Sequence, residues 1–124
     1  MKQQFFDWLK RQGLCPEMDG DAIYFKYQMK NFVYYGDSED SEFFQLCLPG
    51  IYDVTNDNFA QVYMALNDVA TGRKVVKAGV VNDSVWIFFE VLLDGSPVLD
   101  DIVPRGINIL TGAQEFFYEK IKQY

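Results

Sequence analysis

The segment from Ser84 to Leu93 is apolar on both sides of a strand, and this constrains the fold more than any other feature of the chain. Val85, Ile87, Phe89, Val91 and Leu93 form one side, and Trp86, Phe88 and Leu92 form the other, broken only by Glu90. A strand sends alternate side chains to opposite faces of its sheet, so both faces here need cover. The helices of a short chain can cover one of them. The other asks for a partner, a second copy of the chain or a ligand.

The chain of 124 residues is read as a single domain over 1–124. That is long enough to bury a core without metal or disulfide. Apolar residues make up 49% and aromatics 17%, which argues against disorder. The net charge of -7 repels nucleic-acid backbones and anionic membranes, so neither is expected as a partner. Arg73, Lys74 and Lys77 are too few to form a basic patch. The first residues show no signal peptide, and no apolar run approaches a membrane span, so a cytoplasmic protein is expected. Cys15 and Cys47 are then expected as small core residues in a reducing compartment.

Periodicity predicts a short helix over 2–12 with Phe5, Trp8 and Leu9 on its apolar side, then a turn-rich connection to Asp21. Strands are predicted at Ala22–Gln28, Asn31–Tyr35 and Ser41–Leu48, with a reversal at Lys30-Asn31 and a stop at Pro49-Gly50. A second helix is predicted from Asp57 to Thr71, with an apolar stripe of Phe59, Val62, Tyr63, Leu66 and Val69. Thr55, Asn56 and Asp57 are its N-cap candidates, and Gly72 suits its C-terminal end. Strands at Lys74–Val81 and Ser84–Leu93 follow, joined through Asn82-Asp83. The last helix is predicted from Asp100 to Lys122, with Pro104 tolerable near its start. The order α-β-β-β-α-β-β-α with short reversals is an α+β fold on an antiparallel sheet. The last helix carries a second apolar stripe of Ile102, Ile109, Ala113 and Phe116 beside its main one, which suits deep burial or a contact between protomers.

The chain has no histidine, which removes the commonest general base and metal ligand. No cofactor or metal is expected, and no catalytic residue is assigned. Asp37, Glu39, Asp40 and Glu42 lack the glycine a calcium loop needs and are read as a solvated loop. Glu90 is read as a solvated or Lys-paired residue, with Lys77 as the neighbouring-strand candidate.

Several segments together resemble a known family. They are Ile23-Tyr24-Phe25-Lys26-Tyr27, Ala65-Leu66-Asn67-Asp68-Val69, Lys74-Val75-Val76-Lys77-Ala78 and Glu115-Phe116-Phe117-Tyr118, in a match from about Phe5 to Ile121. In this the chain is similar to the YbjN-like branch of the type III secretion chaperone-like fold, whose members are named bacterial sensory transduction regulators. The resemblance implies a twisted antiparallel sheet with helices mainly on one face, a tendency to dimerise, and no catalytic residues to carry over. The expected function is that of a chaperone-like or regulatory protein-binding module. The alternative is a small-ligand domain with an aromatic-lined pocket. The candidate binding or dimer surface is Trp86, Phe88, Leu92, Tyr34, Ile109 and Phe116.

Overall fold

The computed structural model describes residues 1–36 and 42–124. Among them are three helices and six strands: α1 (Lys2–Arg11), β1 (Glu17–Asp19), β2 (Ala22–Tyr27), β3 (Lys30–Tyr35), β4 (Phe43–Asp53), α2 (Phe59–Gly72), β5 (Val76–Val81), β6 (Ser84–Leu92) and α3 (Leu99–Ile121). The strands form one antiparallel sheet in the order β1-β2-β3-β4-β6-β5. The expected α+β fold is present, with one strand more than the sequence pattern announced. That strand, β1, has three exposed residues and so offers no alternation to read.

All three helices lie against one face of the sheet. Phe5, Trp8 and Leu9 of α1 and Val103, Ile107, Leu110 and Ala113 of α3 enclose a core with Ile23, Phe25, Phe32, Tyr34, Phe44, Leu46, Ile87 and Phe89. Val62, Ala65, Leu66 and Val69 of α2 close a second cluster with Val85 and Phe117, over the end of the sheet formed by β5 and β6. Each strand from β2 to β6 contributes alternate residues to this interior, so the register is fixed by which residues must be buried.

That requirement explains the first hairpin. The reversal falls at Gln28-Met29, with φ of 50° and 64°, and Lys30 and Asn31 already belong to β3. A turn centred on Lys30-Asn31 would keep the faces but set Tyr27 and Met29 opposite Tyr34 and Phe32, in place of Ile23 and Phe25. Packing of the buried Ile23 and Phe25 against those rings outweighs the preference of Asn for the left-handed turn. The second hairpin turns at Asn82-Asp83 as expected, with φ of 50° and 62°.

Pro49-Gly50 does not stop β4. It bends the strand at a bulge, where the register against β6 shifts between Leu48 and Tyr52 and Gly50 takes a φ of 58°. The Tyr118 hydroxyl donates to the Ile51 carbonyl at 2.8 Å and accepts from Gln114 Nε2 at 3.1 Å. Lys30 Nζ in turn donates to Gln114 Oε1 at 2.7 Å. This relay satisfies a buried amide and ties α3 to the bent strand.

Helix α2 begins later than predicted, at Phe59 with Asn58 in the capping position. Thr55 and Asn58 bond within the preceding turn instead, Thr55 N–H to Asn58 Oδ1 at 2.8 Å and Asp57 N–H to the Thr55 hydroxyl at 3.2 Å. Gly72 is the last helical residue, and a side chain there would meet the Phe116 ring at 2.9 Å. Phe59 and Tyr63 leave the predicted stripe. They are 52% and 55% exposed, and Ala65 is buried beside Val62, Leu66 and Val69.

Candidate docking face

The face of the sheet away from the helices is built from the other half of each strand. Cross-strand pairing brings Lys77, Phe88, Cys47 and Val33 into one row. Gly79 lies opposite Trp86, Gln45 opposite both Glu90 and Tyr35, and Phe43 opposite Leu92. No helix crosses this row. Its floor is small: Ala22, Val33 and Cys47 are buried, and Tyr35, Trp86 and Phe88 pack over them. The Tyr35 and Trp86 rings stack at 6.5 Å from strands on either side of β4, and Trp86 stacks on Phe88 at 6.1 Å. The bridge is possible because Cys47, between them, has so short a side chain. The indole N–H donates to the Ser84 hydroxyl at 3.2 Å, which fixes the ring plane.

The polar break in this greasy surface is also occupied. Lys77 Nζ sits 2.9 Å from Glu90 and 5.4 Å from the centre of the Phe88 ring. Gln45 Nε2 donates to the other Glu90 oxygen at 2.6 Å. Glu90 is therefore the Lys-paired residue the sequence suggested. Burial pushes the Cys47 thiol up to about 12; nearby Glu90 adds to that, and Lys77 opposes it. The Tyr35 hydroxyl is also raised, first by burial and then by Tyr24 and Cys47.

The six candidate residues do not form one surface. Trp86 and Phe88 are half-buried on the open face, and Leu92 at its end is 74% exposed. Tyr34 points the other way and is a correction. It is 1% exposed, packed against Phe5 and Phe44 at 5.0 and 5.3 Å, because Tyr35 and not Tyr34 falls on the open face of β3. Ile109 packs on the main core. Phe116 lies on the helical side, against Gly72, with Arg73 and Lys120 over its ring at 5.6 and 5.4 Å. Tyr35 and Phe43 were not in the candidate set, and only the β3–β4 and β4–β6 registers could have added them.

Cys15 is a second correction. It is exposed, and only Cys47 is a core residue. Asp37, Glu39 and Asp40 of the predicted acidic loop lie outside the described residues. Among the described residues no group of histidine, cysteine and carboxylate side chains could hold a metal ion, and no helix is long and apolar enough to cross a membrane. A separate cavity of about 360 Å³ opens between α1 and α3, lined by Trp8, Leu14, Tyr27, Asp100, Pro104 and Ile107.

No family model matches this chain, and no curated protein sequence matches it. Solved structures do. YbjN from E. coli, described as a putative transcription regulator, superposes with a TM-score of 0.67 over 94% of this chain and 88% of its own, at 10% identity. The fold is YbjN-like. An uncharacterized protein from Methanothermobacter thermautotrophicus gives a TM-score of 0.66 over 98% of this chain and 96% of its own, at 12% identity. The YbjN-like order of helices and strands thus spans 94% of this chain, and at such identities the likeness establishes the fold alone.

Proposed function

We propose that this chain is a non-enzymatic regulatory module that docks a polypeptide on the open face of its sheet. The observation that carries this reading is the Tyr35–Trp86–Phe88 ring stack. It is ordered by its own neighbours, left half-exposed, and continued by Phe43 and the 74% exposed Leu92. Aromatic rings fixed in place give contact area at little entropic cost, as at binding hot spots. The YbjN-like neighbours support the regulatory part of the reading, since one is called a regulator. A chaperone-like role is one form of it, with the docked polypeptide a client segment. The reducing cytoplasm is its proposed setting, where the free thiols of Cys15 and Cys47 stay unpaired.

The test compares wild type with Trp86→Glu as immobilised baits, after circular dichroism has shown both to be folded. A discrete polypeptide held by wild type and released by the variant supports the reading. Identical captured sets for both baits overturn it.

The cavity between α1 and α3 favours a second reading, a small-ligand site. Its volume of about 360 Å³ is within the usual range for ligand pockets, and Trp8 and Tyr27 line it. A thermal-shift screen of metabolites separates the two. A sharp rise with one compound, abolished by Ile107→Trp, would favour the pocket over the open face.

A further inference from the structure

Two cavities adjoin where α1 faces the start of α3. The larger, of about 550 Å³, has Asp7, Trp8 and Arg11 on one wall and Pro97 to Asp100 on the other. The smaller, of about 360 Å³, carries Leu14, Tyr27, Pro104 and Ile107. Trp8, Gln12 and Asp100 line both, so the two run together. Trp8 is buried, and its indole N–H donates to Asp100 Oδ1 at 2.7 Å. That bond joins the two walls and fixes the carboxylate between the cavities.

The chain leaves the charges of this site unmatched. Asp7 and Arg11 are one helical turn apart, the spacing at which opposite charges ordinarily pair. Here Asp7 accepts from Gln3 Nε2 at 3.0 Å instead. The Arg11 side chain has no ion pair and no hydrogen bond among the described residues. On α3, Asp101 takes Arg105 at 2.9 Å, one turn along. Asp100 has Pro104 at that spacing, so its own helix offers it no cation. Arg11 and Asp100 therefore line one cavity with opposite sign and no bond between them. The smaller cavity differs in kind. Leu14, Pro104, Ile107 and the Tyr27 ring make it mainly apolar, and Asp100 is its single charge.

We propose that this double cavity takes a free α-amino acid with a large apolar side chain. Arg11 presents a planar fork of donors to the carboxylate. The second oxygen of Asp100 accepts from the ammonium, beside an indole that also favours a cation. The side chain lies along Leu14, Pro104 and Ile107, where it leaves water. A zwitterion suits the site better than either charge alone. An amine without a carboxylate would bring a second cation to Arg11, and an acid without an amine would bring a third carboxylate to Asp7 and Asp100. A ligand of no net charge also escapes the repulsion that a chain of net charge -7 exerts on anions. This rests on the second reading above, that a small ligand occupies this side of the molecule, and adds its chemical class.

Isothermal titration calorimetry on the full chain tests the proposal. L-Phenylalanine, L-leucine and L-methionine are the probes, with 2-phenylethylamine and 3-phenylpropionate as the forms of the first that lack one charged group. At least one amino acid should bind at one site per chain, and each truncated form about tenfold or more weaker, the loss of a charge-assisted hydrogen bond. Arg11→Gln should weaken the amino acid by a similar factor and leave 2-phenylethylamine unaffected. Asp100→Asn, which keeps an oxygen for the Trp8 N–H, should weaken the amino acid and leave 3-phenylpropionate unaffected. No binding of any amino acid at millimolar concentration would overturn the proposal. So would truncated forms that bind as well as L-phenylalanine, or an affinity indifferent to both variants. The metabolite screen separates this failure from that of the second reading. If another compound raises the Tm and Ile107→Trp abolishes the rise, the pocket stands and only its assignment to an amino acid falls; a screen without any hit removes both.

Discussion

Lys77 and Glu90, on neighbouring strands, form an ion pair at 2.9 Å in which the carboxylate is the better buried partner, at 24% side-chain exposure against 62%. The pair is roofed by no helix, yet Gln45 and the Phe88 ring hold its two ends. Lys77→Met should leave Glu90 with Gln45 alone and cost about 0.5–1 kcal/mol, since part of the pair is screened by solvent. Urea unfolding at low and high salt checks this, and the difference between wild type and variant should shrink with salt.

The two thiols should behave as different chemical groups. Cys15 is exposed and Cys47 is buried with its thiol pushed up to about 12. A thiol reagent at pH 8 should modify one equivalent quickly, and Cys15→Ser should abolish that fast phase. The second equivalent should follow only in denaturant.

The same thiol sets a pH dependence. Above pH 9 an unfolded chain ionises Cys47, while the folded chain keeps the proton up to about 12. The unfolded state therefore binds fewer protons, and stability falls as pH rises between those limits. At pH 10 the loss from this group is about 1.4 kcal/mol. Cys47→Ala, though less stable at pH 7, should lose correspondingly less stability between pH 8 and pH 10.

Gly106 in α3 faces Phe89, and a methyl group there would come within 2.9 Å of two ring carbons. Gly106→Ala gains helix propensity worth about 1 kcal/mol but forces the ring out of a closed core. The net effect should be destabilising by about 1–2 kcal/mol, read as a lower urea midpoint. A midpoint that rises would show that Phe89 has room to yield.

Tyr118→Phe removes a hydroxyl that both donates to Ile51 and accepts from Gln114. The bulge carbonyl and a buried amide are then left short of partners, at a cost of about 1–3 kcal/mol. Amide exchange should accelerate around Ile51 before it does in the rest of β4.

The long elements could be read from the chain because burial imposes a period on them. The alternation of Val85, Ile87 and Phe89 against Trp86 and Phe88 placed β6 and both its faces. The core stripe of Val103, Ile107, Leu110 and Phe117 placed α3. What could not be read was decided across strands. Nothing local tells Tyr34 from Tyr35; the pairing of Val33 with Cys47 does. Nothing local keeps Pro49-Gly50 inside a strand; the Tyr118 bond to Ile51, which comes from 67 residues away, accompanies it there. Phe59 and Tyr63 fit a helical stripe equally well whether α2 is covered on one side or two. Cys15 and Cys47 look alike until the sheet buries one.

Trp8 and Trp86, the chain's two indoles, stand on opposite sides of the sheet, one on α1 with its indole N–H donating to Asp100 of α3 and the other among the rings of the open face. Each is thus a separate optical window. Emission from Trp8 follows the integrity of the interior, while emission from Trp86 follows whatever settles on the uncovered side. A titrant that shifts only the redder component has touched that side without disturbing the rest.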